Sequence, residues 1–315
     1  MRIGLASTSI VALLLGVTTF APGAGATRPE TAPPNALRQL DHVAAPLRGH
    51  DPNGVPDQAK AGGGPARVSS NGIDYHGGAV MNTGVKAYVI WYGNWTTDTA
   101  TTILPALLNG IGGSAYYNIN TTYYDGLNRR VPNSVTLAGQ TNDAYSQGAT
   151  NLSDGQIGSI VSNAISSGRL PKDANGVYFV FTSVDVTKSG FLTSYCGWHT
   201  HGSLSGTDIK YAFVGNPGSN PACSVQTSAS PNGNVGADAM ASVVAHELEE
   251  SATDPGLNAW YDRRGYENAD KCAWTYGGTY TVSNGSKANM ALGGRDFLIQ
   301  RNWVNASGGY CATSY

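Results

Sequence analysis

The chain has 315 residues, 41% of them apolar and 13% charged, with a formal net charge of −2 and an isoelectric point near 6.3. Seventeen tyrosines and six tryptophans among so few charges exclude a disordered chain, which needs high charge and few aromatics, and a Glu/Lys/Leu-rich coiled coil. The charge balance leaves no basic field to hold nucleic acid or anionic lipid.

At the N-terminus, Arg2 is followed by the apolar run from Ile10 to Phe20 and by the small residues Ala24-Gly25-Ala26. That order is a secretory signal peptide over residues 1–26, too short to act as a membrane span. Residues 27–70 carry seven scattered prolines before and around Gly62-Gly63-Gly64-Pro65 and show no periodic pattern, which reads as a linker or propeptide. A mature domain is expected over 71–315, exported and without a membrane anchor.

Within it, Val85–Tyr92 is β-branched and aromatic and predicts a buried strand. Residues 100–108 read as a short helix, and the Tyr/Asn-rich stretch 115–135 as strands and turns. Ser153 with Gln156 forms a capping box for a helix ending near Ser167. Residues 177–183 and 210–214 predict two more buried strands, Asp238 caps a helix over 238–253, and 297–304 reads as a late strand. Strands interleaved with a few helices define an α+β (mixed α/β) class, a single domain with a mixed sheet.

Export makes the four cysteines a disulfide framework. Three pairings are open. Cys196–Cys223 and Cys272–Cys311 close modest loops of 27 and 39 residues, at about 3 to 4 kcal/mol each in the chain-entropy model. With no C-x-x-C pair, a four-cysteine metal site is the weaker reading.

The chemistry concentrates on the helix at 238–253. His246 and Glu250 stand at i, i+4 on one face, and Glu247 follows His246, so the motif is H-E-x-x-E, a variant of H-E-x-x-H. In such sites two helix residues hold a metal, and the intervening Glu is general base towards a water that the metal activates. The 52 residues between Lys210 and Arg263 contain no Lys or Arg, yet hold Asp238, Glu247, Glu249, Glu250, Asp254 and Asp262. Such crowded acids need a cation or raised pKa values. Arg295 or Arg301 is one source; a divalent ion is another, and it also accounts for the His. A third ligand is expected from Asp270 or Glu267, with Asp270 ahead, in the manner of gluzincins. His199 and His201 offer a further ligand or a substrate-facing group; the plain alternatives are solvent-facing loop histidines and a merely solvated acidic helix face.

The segments Tyr75-His76-Gly77-Gly78, VYFVFTSVDV (177–186), Cys196-Gly197-Trp198-His199, YAFVGN (211–216), the long block at 231–262, ENADKC (267–272) and GRDFLIQRNWV (294–304) resemble the EXORDIUM-like, phosphate-induced protein family. The resemblance runs in order from about 72 to 311. It implies a secreted or cell-wall-associated protein and maps His246, Glu247, Glu250, Glu267, Asp270 and Cys272 onto the family's own motifs. Glu249 and Asp254 depart from the plant pattern by adding negative charge, and His201 departs from it as well.

Two functional expectations follow. One is a zincin-like, zinc-dependent hydrolase acting on peptides, with His246, Glu250 and Asp270 or Glu267 as ligands and Glu247 as base. The other is a non-enzymatic extracellular or cell-wall interaction protein, with a structural ion such as Ca²⁺ or none, whose Trp91, Trp95, Tyr116, Tyr117, Tyr123 and Tyr124 stack on sugars unless they belong to the core.

Overall fold

The computed structural model describes residues 71–315 together with Met1 and the backbone of two short upstream strands, β1 (Arg38–Gln39) and β2 (Val43–Pro46). The signal-peptide segment 1–26 and most of 27–70 lie outside the described residues. β1 and β2 fall where the sequence shows no strand pattern.

In chain order the elements that build the core are β3 (Asp74–Tyr75), β4 (Val85–Tyr92), α1 (Ala100–Ile111), β5 (Val135–Asp143), α2 (Asp154–Ser166), β6 (Gly176–Thr182), β7 (Tyr195–Leu204), β8 (Thr207–Gly215) and α3 (Val235–Thr253). One mixed sheet runs in the order β1-β7-β8-β6-β4-β5, with β2 also on β7. β5, β4, β6 and β8 are mutually parallel, while β7 is antiparallel to β8. The near-continuous apolar runs of β4 and β6 suit strands covered on both faces; every residue of β6 is buried. β5, at the far edge, alternates buried and exposed, the pattern of a half-covered strand.

The crossovers β4-α1-β5 and β5-α2-β6 run in opposite directions along the sheet. Right-handedness therefore sends α1 and α2 to opposite faces. α3 packs with α1 and against β7 and β8. Nearly every residue of α3 is buried, so any ionisable group on it must find a partner inside the protein.

A C-terminal mantle follows: β9 (Trp260–Tyr261), which pairs β3, then the hairpins β10 (Tyr280–Thr281) with β11 (Lys287–Ala288), β12 (Met290–Leu292) with β13 (Arg295–Phe297), and β14 (Asn302–Val304) with β15 (Tyr310–Ala312). Both favoured disulfides are formed, Cys196–Cys223 and Cys272–Cys311.

Several local expectations change. α3 begins at Val235, not Asp238, because the Asn234 side chain accepts the Ala237 N–H at 3.0 Å. Asp238 instead ties the preceding loop, accepting from Ser230 Oγ at 2.6 Å and Asn232 N at 2.8 Å. The Tyr/Asn-rich stretch forms a 3-10 turn at Tyr117–Thr122. The single late strand is two, β13 and β14. Between them Gln300 turns inward, its N–H reaching Ser242 Oγ at 3.2 Å and its Oε1 accepting from Trp274 N at 2.6 Å. Trp91, Trp95, Tyr116, Tyr117 and Tyr123 are buried in the core and Tyr124 packs on Trp260, so these rings do not form a sugar-stacking face. Among the described residues no helix is long and apolar enough to cross a membrane.

Candidate metal centre

The i, i+4 spacing on α3 brings His246 and Glu250 together: Nε2 of His246 lies 3.0 Å from Glu250 Oε1 and 3.3 Å from Asp270 Oδ1. Asp270 reaches this point from the start of a 3-10 turn, Asp270–Cys272. Its backbone N–H donates to Glu250 Oε1 at 3.1 Å, and the Cys272–Cys311 disulfide anchors the same turn. Two ligands on one tetrahedral zinc, each about 2.0–2.1 Å from it, stand about 3.3 Å apart. The spacings around His246 match that.

A second half comes from β7. Side chains alternate along a strand, so Gly197 and His199 share the face towards α3. His199 Nε2 lies 2.6 Å from Glu267 Oε2 and 3.6 Å from Glu250 Oε2. The sequence places His199 and Glu267 as separate alternatives; the fold brings them together. His199, His246, Glu250, Glu267 and Asp270 are each no more than 2% exposed. His201 sits elsewhere, its Nδ1 2.7 Å from Asp208 Oδ1 across the β7–β8 ladder and clear of the cluster.

Glu247 lies beneath β7. A Cβ at position 197 would stand 3.0 Å from Glu247 Oε1 and 2.6 Å from Val243 Cγ1, so the absent side chain of Gly197 is what lets this carboxylate fit beside β7. Glu249 faces the other way. It meets Asn302 Nδ2 among Tyr116, Tyr117 and Tyr123, and burial raises its carboxyl well above the ordinary range. Asp254 closes the helix by accepting the N–H groups of Asn258 and Ala259 at 2.6 and 2.7 Å. Glu249 and Asp254 are thus interior residues and not a solvated face.

Among the described residues no Lys or Arg pairs with Glu250 or Glu267. Arg295 reaches Asn232 and Thr102, and Arg301 reaches Thr275 and the Cys311 carbonyl. Lys271, next in sequence to Asp270, extends its ammonium over the Trp303 ring at 4.5 Å and towards Asp262 at 3.6 Å. The acids therefore act on one another. Burial, then Asp270, lifts Glu250; burial, then Glu250 and Asp254, lifts Glu267 well above the carboxylate range. Burial opposes charge on the His246 ring, but Glu250, Asp270 and Glu247 outweigh it and hold that pKa well above 6.5. Without a cation the cluster must hold protons. The donor set, imidazole nitrogen plus carboxylate oxygen, suits zinc or a similar transition ion; calcium takes six to eight oxygens.

Sequence reasoning missed β7 as a strand and Gly197 as a site residue. The available signal was weak, since Tyr195, Trp198 and Leu204 follow no period-2 pattern and the segment is diluted by Gly197, Gly202 and Ser203.

Comparison with known proteins gives one consistent answer. Residues 73–303 match the family described as "Phosphate-induced protein 1 conserved region". Protein EXORDIUM-like 3 of Arabidopsis thaliana is 31% identical over 76% of this chain and 82% of its own length. Protein EXORDIUM-like 5 of the same plant is 32% identical over 73% and 75%, and Protein PHOSPHATE-INDUCED 1 of Nicotiana tabacum 28% identical over 65% and 72%. No solved structure matches significantly. The chain belongs to the phosphate-induced protein 1, or EXORDIUM-like, family.

Proposed function

We propose that this protein is a secreted, zincin-like metal-dependent hydrolase that acts on extended peptides. The observation that carries the reading is the convergence of His246, Glu250 and Asp270 beside the Glu247 carboxylate. Zinc bound there supplies Lewis acidity and an activated water. The chain's own residues do the rest. Glu247, held beneath Gly197, is placed to take a proton and pass it to a leaving amine. Asp270, fixed by its turn and disulfide, closes the ligand set. Two carboxylates among the three ligands donate more charge than two imidazoles would, so the centre is a mild electrophile and a narrow substrate range is expected.

The substrate class comes from the sheet. β7 carries His199, lies across α3 and is antiparallel to its neighbour, so its outer edge offers the backbone groups that an extended peptide needs for strand addition. β2 already uses that edge, with Val43 opposite His199 and Ala44 opposite Trp198. β2 then acts as a propeptide strand that lies where substrate would lie. Two disulfides and the signal-type leader support export.

The complete burial of the ligands favours a second reading, a structural ion with no catalysis. One experiment separates the two. Insert a protease site after residue 70, cleave, and measure both zinc content and hydrolysis of an unfolded protein. Zinc with activity that appears only after cleavage supports the hydrolase. Zinc without activity favours the structural ion, and a metal-free, fully folded protein sinks both.

A further inference from the structure

The proposed zinc centre uses only one oxygen of Glu250. Its Oε1 faces His246 and the Asp270 amide, whereas Oε2 faces His199. Oε2 accepts no hydrogen bond and is completely buried. A buried carboxylate oxygen left without a donor is costly, and the His199 nitrogen at 3.6 Å is beyond hydrogen-bond reach. That distance is, however, close to the roughly 3.3 Å expected of two ligands on one tetrahedral ion. Glu267 completes a second triad with His199 and Glu250, its ligand atoms within 4.8 Å of one another, just as His246, Glu250 and Asp270 form the first.

We propose that Glu250 bridges two transition-metal cations, the second held by His199, Glu250 Oε2 and Glu267. The inference rests on the reading of the first centre and adds a site to it. A carboxylate that spans two ions is the arrangement of two-metal sites, whose ions stand about 3.5–4 Å apart. Charge points the same way. Glu247, Glu250 and Asp270 gather around His246, and Glu267 adds a fourth acid that itself meets Asp254. The direct His199–Glu267 contact is the closed form of the second site, in which the imidazole stands in for the ion.

The experiment is a zinc titration of the stripped full-length protein by calorimetry, with bound metal counted by plasma mass spectrometry. Two zinc ions per chain are expected. His199→Ala and the nearly isosteric Glu267→Gln should each keep one ion and weaken or lose the other at least tenfold. Glu250→Gln should weaken both. One ion in the wild type, or an unchanged count of two in a folded His199→Ala, overturns the second site and leaves the first intact. No zinc in a folded wild type overturns both.

Discussion

The two sides of β7 treat buried charge in opposite ways. On the side of Trp198, Lys188 is buried, yet its ammonium pairs with Asp154 and the Tyr195 hydroxyl and stands 4.9–5.3 Å from the ring centres of Tyr195, Trp198 and Phe213. Burial lowers its pKa and Asp154 opposes that, so the charge is answered within the chain. On the side of His199, one position along, five ionisable groups lie close together, and among the described residues no lysine or arginine pairs with Glu250 or Glu267. The protein installs a counterion for Lys188 in this sheet, whereas Glu250 and Glu267 face histidines and further acids. That asymmetry is the strongest internal reason to look for a cation from outside.

The comparison can be attacked from several directions. The largest effect is expected from Glu247→Gln. Removal of a general base costs about 10²–10⁴-fold in rate, so turnover of the cleaved protein should collapse by that much while the zinc content stays unchanged. Chelation comes next. A ligand at about a thousand times its Kd stabilises a fold by about 4 kcal/mol, so EDTA should lower the unfolding temperature by many degrees and added zinc should restore it. Replacement of Cys272 and Cys311 by alanine should cost about 2–5 kcal/mol in denaturant unfolding. It should also weaken zinc binding, because the turn that carries Asp270 loses its tether.

A pH series sharpens the contrast further. In the metal-free protein His246, Glu250 and Glu267 all have folded pKa values above their ordinary ones. Such groups give stability that is present at low pH and lost as pH rises through the raised values. The metal-free unfolding temperature should therefore fall from pH 5 towards pH 8. Zinc displaces those protons, so the loaded protein should lose this slope, and zinc affinity should rise with pH. The smallest effect belongs to Lys188→Met. An apolar chain in the aromatic cage replaces the ion pair, and Asp154, a third exposed, can turn to water; stability should stay within about 1 kcal/mol and zinc content should not move. A metal-dependent effect of Lys188→Met would erase the distinction drawn here.

The helix half of the site was legible because local rules write it. His246 and Glu250 meet through helical spacing, Glu247 follows, and Asp270 comes within reach near a disulfide. The β4 and β6 strands and the Ser153–Gln156 cap were equally plain, since each is a run of one texture or a fixed three-residue interval. What could not be read depends on tertiary pairing. β7 is diluted by Gly197, Gly202 and Ser203, so it shows weak strand character until β8 pairs with it. His199 and Glu267, 68 residues apart, become neighbours only when the strand and the following turn close on α3. β2 has no pattern of its own because an added strand takes its geometry from its host.

The occupied edge of β7 has a bearing on solubility. A ten-residue strand with free amides and carbonyls invites pairing with any passing chain, including another copy of the same protein. β1 and β2 satisfy part of that edge from within. Once they were cut away, the protein would carry an adhesive margin, and self-association at rising concentration would be the sign that the margin had been uncovered.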